Sequence, residues 1–429
     1  MVTASHLPAE RNGFKFFSTH DHPSGYSPAA VAALQAPAAA VAMEWFQRGI
    51  LPPMSSGREA YVMCSQYVSS WMPDHYSHML QEAIKTKVGG STSDRPLLGL
   101  KIVLNTGNGS GGFFHSVLES LGADMSASLY IPPDGTFPHG IPNPEDSAML
   151  QATTAACQAA QADLGIMLDT DADRCGFVVP IRDQKDGSVS YEPLHRNRLI
   201  ALLGVIFADQ SPGCAVVTDS VTSEGLSTFL HDTLGLHHVR YLKGYANVIQ
   251  KARELTESGT VAAELAIETS GHCAMRENAY LDDGTYTAVQ VVSLMARLQR
   301  DDGKKNLLDL IADLEELEEV VELRLNVPSM AQVENVFAAC VTVLEEMVAT
   351  GLNDSWEVDA DNLEGIRIRF GDSQFFMLRK SLHDPILSLQ VEAQSHAEAL
   401  ERVVQPVHDA LAAHPMIGSQ LNLSALASY

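Results

Sequence analysis

Apolar runs rich in β-branched residues alternate along the chain with segments of helical periodicity. Buried strands are predicted at 100–104, 164–168, 176–181 and 215–218, and helices at 113–121 and 197–208. Each predicted strand ends in a polar loop. The alternation of strand and helix therefore predicts repeated α/β units over most of the chain.

The pattern changes near residue 320, after an acidic segment at 307–319 that is predicted to be helical. Beyond it, the hydrophobic positions predict a strand, a long helix, two more strands and a final helix, at 320–327, 330–349, 365–370, 386–392 and 396–413. This order differs from the earlier units, so the C-terminal part is predicted to be a separate α+β module.

Length and charge limit the function classes. A chain of 429 residues allows about three or four domains, and a hydrophobic content of 45% supplies each with a core. The net charge of −25 argues against nucleic acid or an anionic membrane as a partner, because such binding needs basic surface. An anionic ligand would have to meet a few locally placed Arg and Lys side chains.

The cysteines indicate the compartment. Six of them lie along the chain without a C-x-x-C pair, which favours isolated thiols in a reducing compartment over disulfides or a zinc site. No transmembrane or secretory segment is visible, so a cytoplasmic location is expected. An organellar form stays open, because the natural start of the chain would then lie before Met1.

The first candidate for chemistry is the polar segment 3–8, in which Ser5 lies between Ala4 and His6. Its hydroxyl could accept a phosphoryl group, with Lys15 as a nearby acid or base. The alternative is a serine that only forms a turn.

The second candidate is the segment 169–174, which follows an apolar strand and carries Asp169, Asp171 and Asp173. Three carboxylates at alternate positions suit a hard cation such as Mg²⁺. A calcium hand would need Gly at the sixth position and Glu at the twelfth, and Arg174 and Pro180 stand there instead. A solvated acidic turn remains the alternative.

Three weaker segments also follow or join strands. The glycine-rich segment 105–112 could either cradle an anion with its amides or allow close packing of the chain. Segment 268–272 offers a carboxylate, a hydroxyl and an imidazole suited to sugar hydroxyls, or forms a plain polar turn. Segment 379–385 concentrates positive charge, as a phosphate site or a basic surface hairpin.

Together these segments resemble the motifs of the α-D-phosphohexomutases, which include phosphoglucomutase, phosphomannomutase and phosphoglucosamine mutase. Residues 3–15 are similar to the phosphoserine loop, residues 169–174 to the metal loop D-G-D-G-D-R, residues 268–272 to the sugar loop, and residues 379–385 to the phosphate-binding loop. Lys243-Gly244-Tyr245 falls where the family has a further substrate loop.

The resemblance implies three similar α/β domains and a smaller α+β domain around a central cleft, with domains at 1–97, 98–192, 193–319 and 320–429. It also implies an isomerase that interconverts hexose 1-phosphate and hexose 6-phosphate, of glucose or mannose, through a phosphoserine and a hexose 1,6-bisphosphate. The enzyme would be a monomer or homodimer. Two alternatives to this activity remain, namely phosphoglucosamine mutase activity or a non-catalytic homologue that only binds sugar phosphates.

The resemblance assigns roles residue by residue. Ser5 would carry the phosphate and, with Asp169, Asp171 and Asp173, hold Mg²⁺. Catalysis would further involve His6, Lys15 and Arg174. Substrate would be bound by Lys243, Glu268, Ser270, His272, Arg379 and Ser381.

The chain departs from the family pattern at several positions. Leu7 replaces an Asn beside the nucleophile, Thr170 and Ala172 replace two glycines of the metal loop, and residues 382–384 replace the usual Gly-Thr-Glu. The family also places a strand and an Arg-bearing loop before the serine, so the start of the first domain is expected to be absent.

Overall fold

The computed structural model describes residues 2–3, 13–14, 75–89, 94–183, 185–302, 306–351, 355–381 and 384–429. Ser5, His6 and Lys15 lie outside the described residues, as do Leu382 and His383. The strand Val2–Thr3 pairs antiparallel with Gly13–Phe14, on either side of residues 4–12.

A four-stranded sheet carries the acidic loop. Its strands run in the order Ile102–Asn105, Leu164–Leu168, Cys175–Arg182 and Val189–Leu194, the first pair parallel and the others antiparallel. Every residue of the first two strands is buried, which explains why all of them except Asn105 are apolar. The strand Val189–Leu194, which the sequence pattern did not predict, forms the edge of this sheet.

A second four-stranded sheet has the order Cys273–Met275, Ala263–Ile267, Ala215–Asp219 and His237–Tyr241. The first two of these strands form an antiparallel hairpin in which Ile267 pairs with Cys273. The hairpin loop therefore consists of residues 268–272, the segment predicted to bind a sugar.

The C-terminal sheet has five antiparallel strands in the order Glu319–Asn326, Ile386–Ala393, Gln374–Lys380, Ile366–Gly371 and Glu357–Val358. Helix Met330–Ala349 and the helical run from His396 to Ala413 pack on this sheet and contribute core residues that include Val336, Leu344 and Val407. A meandering sheet covered by helices is the α+β module predicted from the sequence.

Within the described residues, α-helices are formed by Ser77–Val88, Phe113–Ser120, Ser147–Ala160, Asn197–Gln210, Glu224–Thr228, Tyr245–Glu257 and Gly284–Asp302. They continue with Met330–Ala349, His396–Ala399, Gln405–Ala413, Pro415–Gln420 and Ser424–Ala427. Short 3₁₀ turns occur at Ser110–Gly112, Arg276–Asn278 and Leu308–Ile311, and π-helical segments at Phe229–Thr233 and Leu400–Val404. The predicted final helix at 396–413 is thus helical throughout, with a π segment inside it.

The predicted acidic helix at 307–319 is wrong. Only Leu308–Ile311 forms a 3₁₀ turn, and the strand of the C-terminal sheet already begins at Glu319. Asp309, Asp313 and Glu316 follow one another at helical spacings of three and four residues, where like charges repel and destabilise a helix.

The mixed α/β class with several domains is confirmed, and the chain divides into two compact units. The first comprises residues 1–216 and 249–312, and the second residues 217–248 and 313–429. The five cysteines of the described residues are buried free thiols. Among the described residues, no helix has the length and apolar character needed to cross a bilayer.

The second unit contains a buried arginine, Arg367, that binds groups from a distant segment of the chain. Arg367 is 1% exposed, and its guanidinium binds Glu224 at 2.8 Å and the carbonyl oxygens of Ser220 and Thr222 at 3.1 and 3.2 Å. Arg240 binds Glu224 as well, at 3.0 Å. Burial alone would raise the pKa of Glu224, but the two guanidinium groups lower it to about 2.

Glu224→Gln is therefore expected to destabilise the protein by about 2 kcal/mol at neutral pH, because the guanidinium groups of Arg240 and Arg367 lose their charged acceptor. The lowered pKa of Glu224 means that this stabilisation is present above pH 4.5 and is lost as the pH falls towards 2. Denaturant unfolding of both proteins should show a difference that shrinks with acidification. Glu401→Gln, at an exposed position, should match the wild type at each pH, and a constant difference for Glu224→Gln would contradict the prediction.

Candidate functional site

The acidic loop follows the buried strand Leu164–Leu168 and turns back into the strand Cys175–Arg182. Carboxylate oxygens of Asp169, Asp171 and Asp173 lie within 4.8 Å of one another. Ala172 adopts a left-handed backbone with φ of 62°, a conformation that glycine adopts without strain. The backbone of the loop thus keeps a glycine-like geometry at this position without a glycine.

Arg174 closes the loop. Its backbone N–H and its Nε donate to the two oxygens of Asp169, at 3.2 and 3.0 Å, and its Nη1 donates to Asn143 at 3.4 Å. Arg174 is 2% exposed and Asp169 is fully buried. The buried Nη2 of Arg174 has no hydrogen-bond partner among the described residues, which leaves one donor for a further acceptor.

Burial and neighbouring charge act together on this loop. Burial, and then the charge of Asp173, raise the pKa of Asp169 to about 8, although Arg174 opposes them. Three carboxylates in so small a volume repel one another, and a divalent cation would relieve that repulsion.

The donor set fits a hard divalent cation. Three carboxylates from one loop supply only oxygen ligands, and Mg²⁺ binds oxygen ligands through one or a few carboxylates while keeping water or substrate oxygens. The described residues therefore contain an acidic site suited to a metal ion.

The hairpin loop 268–272 lies against the acidic loop. Arg174 and His272 form an isolated β-bridge, and Nδ1 of His272 lies 3.7 Å from a carboxylate oxygen of Asp173. Ser270 Oγ lies 3.5 Å from the buried Glu268 carboxylate. The structure thus brings the three aspartates predicted to bind metal and the predicted sugar-binding residues together in the first unit.

His272 is held as an imidazolium. Its Nδ1 binds Asp282 at 2.6 Å. Burial alone would lower the pKa of His272, but the carboxylates of Asp282, Asp173 and Glu268 raise it to about 9. A positive charge therefore stands beside the acidic cluster at neutral pH, where it can stabilise an additional anionic group.

The glycine-rich segment 105–112 packs closely against the acidic loop. The N–H of Ser110 donates to the carbonyl of Thr170 at 2.9 Å, and a Cβ on Gly109 would lie 2.9 Å from the carbonyl oxygens of Asp169 and Thr170. The amides of residues 107–109 also donate to protein oxygens. Of the two interpretations left open by the sequence, these contacts favour close packing over an anion cradle.

Gly284, the first residue of helix Gly284–Asp302, also touches this loop. Its N–H donates to the carbonyl of Ala172 at 3.0 Å, and a Cβ there would lie 2.7 Å from the carbonyl carbon of Arg174. Neither Gly284 nor Asp282 was identified from the sequence. The signal that could have pointed to them is the Asp-Asp-Gly triplet whose glycine begins the helix.

Gly284→Ala is expected to displace the acidic loop and to destabilise the protein by about 1–3 kcal/mol, the usual cost of overpacking. A lower melting temperature together with a weaker Mg²⁺-induced stabilisation would show the effect. Gly135→Ala is the matched control, because its Cβ would meet nothing within 4 Å. Unchanged Mg²⁺ affinity in Gly284→Ala would contradict the prediction.

Lys243 lies in the second unit, two residues before the start of helix Tyr245–Glu257. Its ammonium binds the fully buried Asp219 at 2.9 Å, and its backbone N–H donates to Glu364 at 3.0 Å. Neither of these two acidic partners was identified from the sequence, because both are distant from Lys243 along the chain.

Arg379 is the penultimate residue of the strand Gln374–Lys380 and is 8% exposed. Its guanidinium binds Glu322 at 3.3 Å, and its buried Nε has no hydrogen-bond partner among the described residues. Burial would raise the pKa of Glu322, but the Ser388 hydroxyl and the charges of Arg379, Arg324 and Lys243 lower it. Arg379 is thus paired with a carboxylate of the second unit.

Ser381 follows that strand in the loop predicted to bind phosphate. Its backbone N–H donates to the carbonyl of Ile386 at 2.9 Å. The N–H of Asp384 in turn donates to the Ser381 hydroxyl at 3.3 Å. The two ends of this loop are therefore linked by hydrogen bonds.

Two family profiles match the chain. The profile described as "Phosphoglucomutase/phosphomannomutase, alpha/beta/alpha domain II" matches residues 74–181, and the corresponding domain III profile matches residues 195–317. Together the two matches cover more than half of the chain.

Individual relatives agree with the profiles. A phosphoglucomutase of Neisseria meningitidis is 27% identical over 405 residues, which are 94% of this chain and 75% of the relative. A phosphomannomutase/phosphoglucomutase of Pseudomonas syringae is 27% identical over 312 residues, covering 72% of this chain and 60% of the relative.

A solved structure is similar as well. A phosphoglucomutase/phosphomannomutase family protein of Burkholderia thailandensis superimposes with a TM-score of 0.58 at 27% identity, over 78% of this chain and 64% of that chain. The resemblance found in the sequence is confirmed by these matches. The chain belongs to the phosphoglucomutase/phosphomannomutase family of α-D-phosphohexomutases, which are phosphotransferring isomerases.

Proposed function

We propose that this chain interconverts hexose 1-phosphate and hexose 6-phosphate, with glucose or mannose as the sugar, through a phosphoserine at Ser5 and a hexose 1,6-bisphosphate. The observation that carries the proposal is the contact between the acidic loop and the hairpin loop 268–272, where Arg174 pairs with His272. Transfer of a phosphoryl group to a sugar hydroxyl requires that metal ligands and sugar-binding groups lie next to each other.

Asp169, Asp171 and Asp173 would hold Mg²⁺ together with the phosphate on Ser5. A bound Mg²⁺ supplies positive charge that neutralises the phosphate oxygens and lowers the barrier to their transfer. Arg174, whose Nη2 is buried without a hydrogen-bond partner among the described residues, and His6 would stabilise the same charge from the protein side.

The sugar would be oriented by hydrogen bonds to Glu268, Ser270 and His272. Glu268 accepts hydrogen bonds from sugar hydroxyls, and the imidazolium of His272 donates. On the second unit, Arg379, Ser381 and Lys243 would bind the phosphate that does not react, because Arg379 offers a buried Nε with no protein acceptor among the described residues.

The chemical step balances with these groups. A sugar hydroxyl oxygen attacks the phosphorus on Ser5, the bond from phosphorus to the Ser5 oxygen breaks, and the hydroxyl proton passes to Lys15. In the second half, the Ser5 oxygen attacks the other phosphorus of the bisphosphate, the bond from that phosphorus to its sugar oxygen breaks, and Lys15 gives the proton to that sugar oxygen. Ser5 is thus phosphorylated again at the end of each cycle.

A substrate panel tests the proposal. The protein is incubated with Mg²⁺, a trace of glucose 1,6-bisphosphate, and glucose, mannose or glucosamine 1-phosphate, and formation of each 6-phosphate is measured. We expect turnover of the glucose or mannose compound, and intact mass spectrometry should find one phosphate on the protein. Turnover of glucosamine 1-phosphate alone would replace the proposed substrate. No turnover and no phosphate would contradict the proposal.

A further inference from the structure

Glu364 joins two segments that are distant in sequence. Its carboxylate accepts a hydrogen bond from the backbone N–H of Lys243 at 3.0 Å and another from the hydroxyl of Ser220. Ser220 directly follows Asp219, whose carboxylate binds the Lys243 ammonium at 2.9 Å. Lys243 is therefore held at its backbone by Glu364 and at its side chain by Asp219, and Glu364 also contacts the residue next to that aspartate.

The loop that carries Glu364 is itself fixed. Asn362 donates its side-chain N–H groups to the carbonyls of Glu364 and Gly365, at 2.7 and 3.3 Å. Gly365 has φ of 63°, and a Cβ there would overlap the carbonyl oxygen of Leu378. Because Leu378 precedes Arg379 on the same strand, Glu364 is anchored beside the strand that presents Arg379.

The same loop also reaches the backbone of Arg379. A Cβ on Gly365, the residue after Glu364, would lie 3.1 Å from the Cα of Arg379. All of these residues lie in the second unit. Glu364 therefore links the backbone of Lys243 to the strand at Arg379, and a shift of the Lys243 backbone would change the spacing of the two cations.

We infer that Glu364 is a positioning residue, which fixes Lys243 at the distance from Arg379 that is needed to bind the unreacting phosphate of the substrate. This inference rests on the proposed function, because it assumes that Lys243 contacts the phosphate. Glu364 itself need not touch the substrate. Its role is to fix the N–H side of the Lys243 backbone, whose carbonyl accepts a hydrogen bond from Asn247 at 2.7 Å.

The test compares Glu364→Ala with Glu364→Gln by calorimetric titration with glucose 6-phosphate, and by KM and kcat in the mutase assay. The alanine variant loses both hydrogen bonds and should bind the ligand roughly 10-fold more weakly, with KM raised in proportion and kcat within about threefold of the wild type. The glutamine variant keeps an acceptor oxygen and should recover most of the affinity. Glu357→Ala, on an exposed edge strand of the same unit, should behave as the wild type.

Hydrogen exchange separates this inference from the proposed function. In Glu364→Ala the Lys243 amide should exchange faster than in the wild type, whether or not the protein turns over substrate. Faster exchange with unchanged glucose 6-phosphate affinity would overturn the positioning role. The wild type could show no mutase activity while Glu364→Ala still binds glucose 6-phosphate more weakly than the wild type. That result would support the positioning role and contradict only the proposed reaction. If Glu364→Ala does not fold, Glu364→Asp decides, because its carboxylate is one methylene shorter and is withdrawn from the Lys243 amide. Wild-type glucose 6-phosphate affinity and wild-type exchange of the Lys243 amide in that variant would overturn the inference.

Discussion

Ser5→Ala is expected to lower mutase turnover by roughly four orders of magnitude or more, because the variant has no hydroxyl to carry the phosphoryl group between the two positions of the sugar. Binding of sugar phosphate should persist, since Glu268, Ser270 and Arg379 are unchanged. The expected result is therefore a protein that binds glucose 6-phosphate with near wild-type affinity and carries no phosphate.

Turnover, intact mass and calorimetric affinity measure this prediction together. Ser18→Ala is the matched control, because Ser18 lies in the same N-terminal segment outside the phosphoserine motif. A Ser5→Ala variant that kept its phosphate and its full turnover would show that another residue is the phosphoryl carrier.

Asp171→Asn is expected to have the next largest effect. It removes one charge from the three clustered carboxylates. Substitution of a residue that only supports a metal ligand typically lowers metal affinity by roughly 10- to 100-fold, and the loss of Mg²⁺ affinity in Asp171→Asn should be larger than that. Turnover at limiting Mg²⁺ should fall in the same proportion. Asp171 is the best of the three for this purpose, because Asp169 also pairs with the buried Arg174 and its loss would leave that guanidinium without its ion pair.

Thermal unfolding with and without Mg²⁺ gives a readout that does not depend on activity. A ligand at 100 times its Kd stabilises a protein by about 2.7 kcal/mol, so the wild type should gain several degrees and Asp171→Asn little or none. Asp186→Asn, at an exposed position of the same unit, should gain as much as the wild type. Equal Mg²⁺ stabilisation of Asp171→Asn and the wild type would show that the cluster is not the metal site.

The elements and loops that could be predicted from the sequence alone are each encoded by residues that are contiguous in the chain. The strand at 164–168 and the acidic loop after it were found because an apolar run and three alternating aspartates are contiguous in the chain. The same holds for the loop 268–272 and the basic segment from Arg379. The helix predicted at 307–319 is wrong for the opposite reason, since hydrophobic spacing was counted and like-charge repulsion between neighbouring turns was not.

By itself, the sequence determined the mixed α/β class, the family and the residue types of each loop, because periodicity and motif order are properties of neighbouring residues. Only the tertiary structure decided which groups meet. Asp282 binding His272, Gly109 and Gly284 packing on the acidic loop, and Glu364 holding Lys243 all join separate segments. A contact between distant segments depends on how strands align and helices pack, and a single sequence carries no local signal of it.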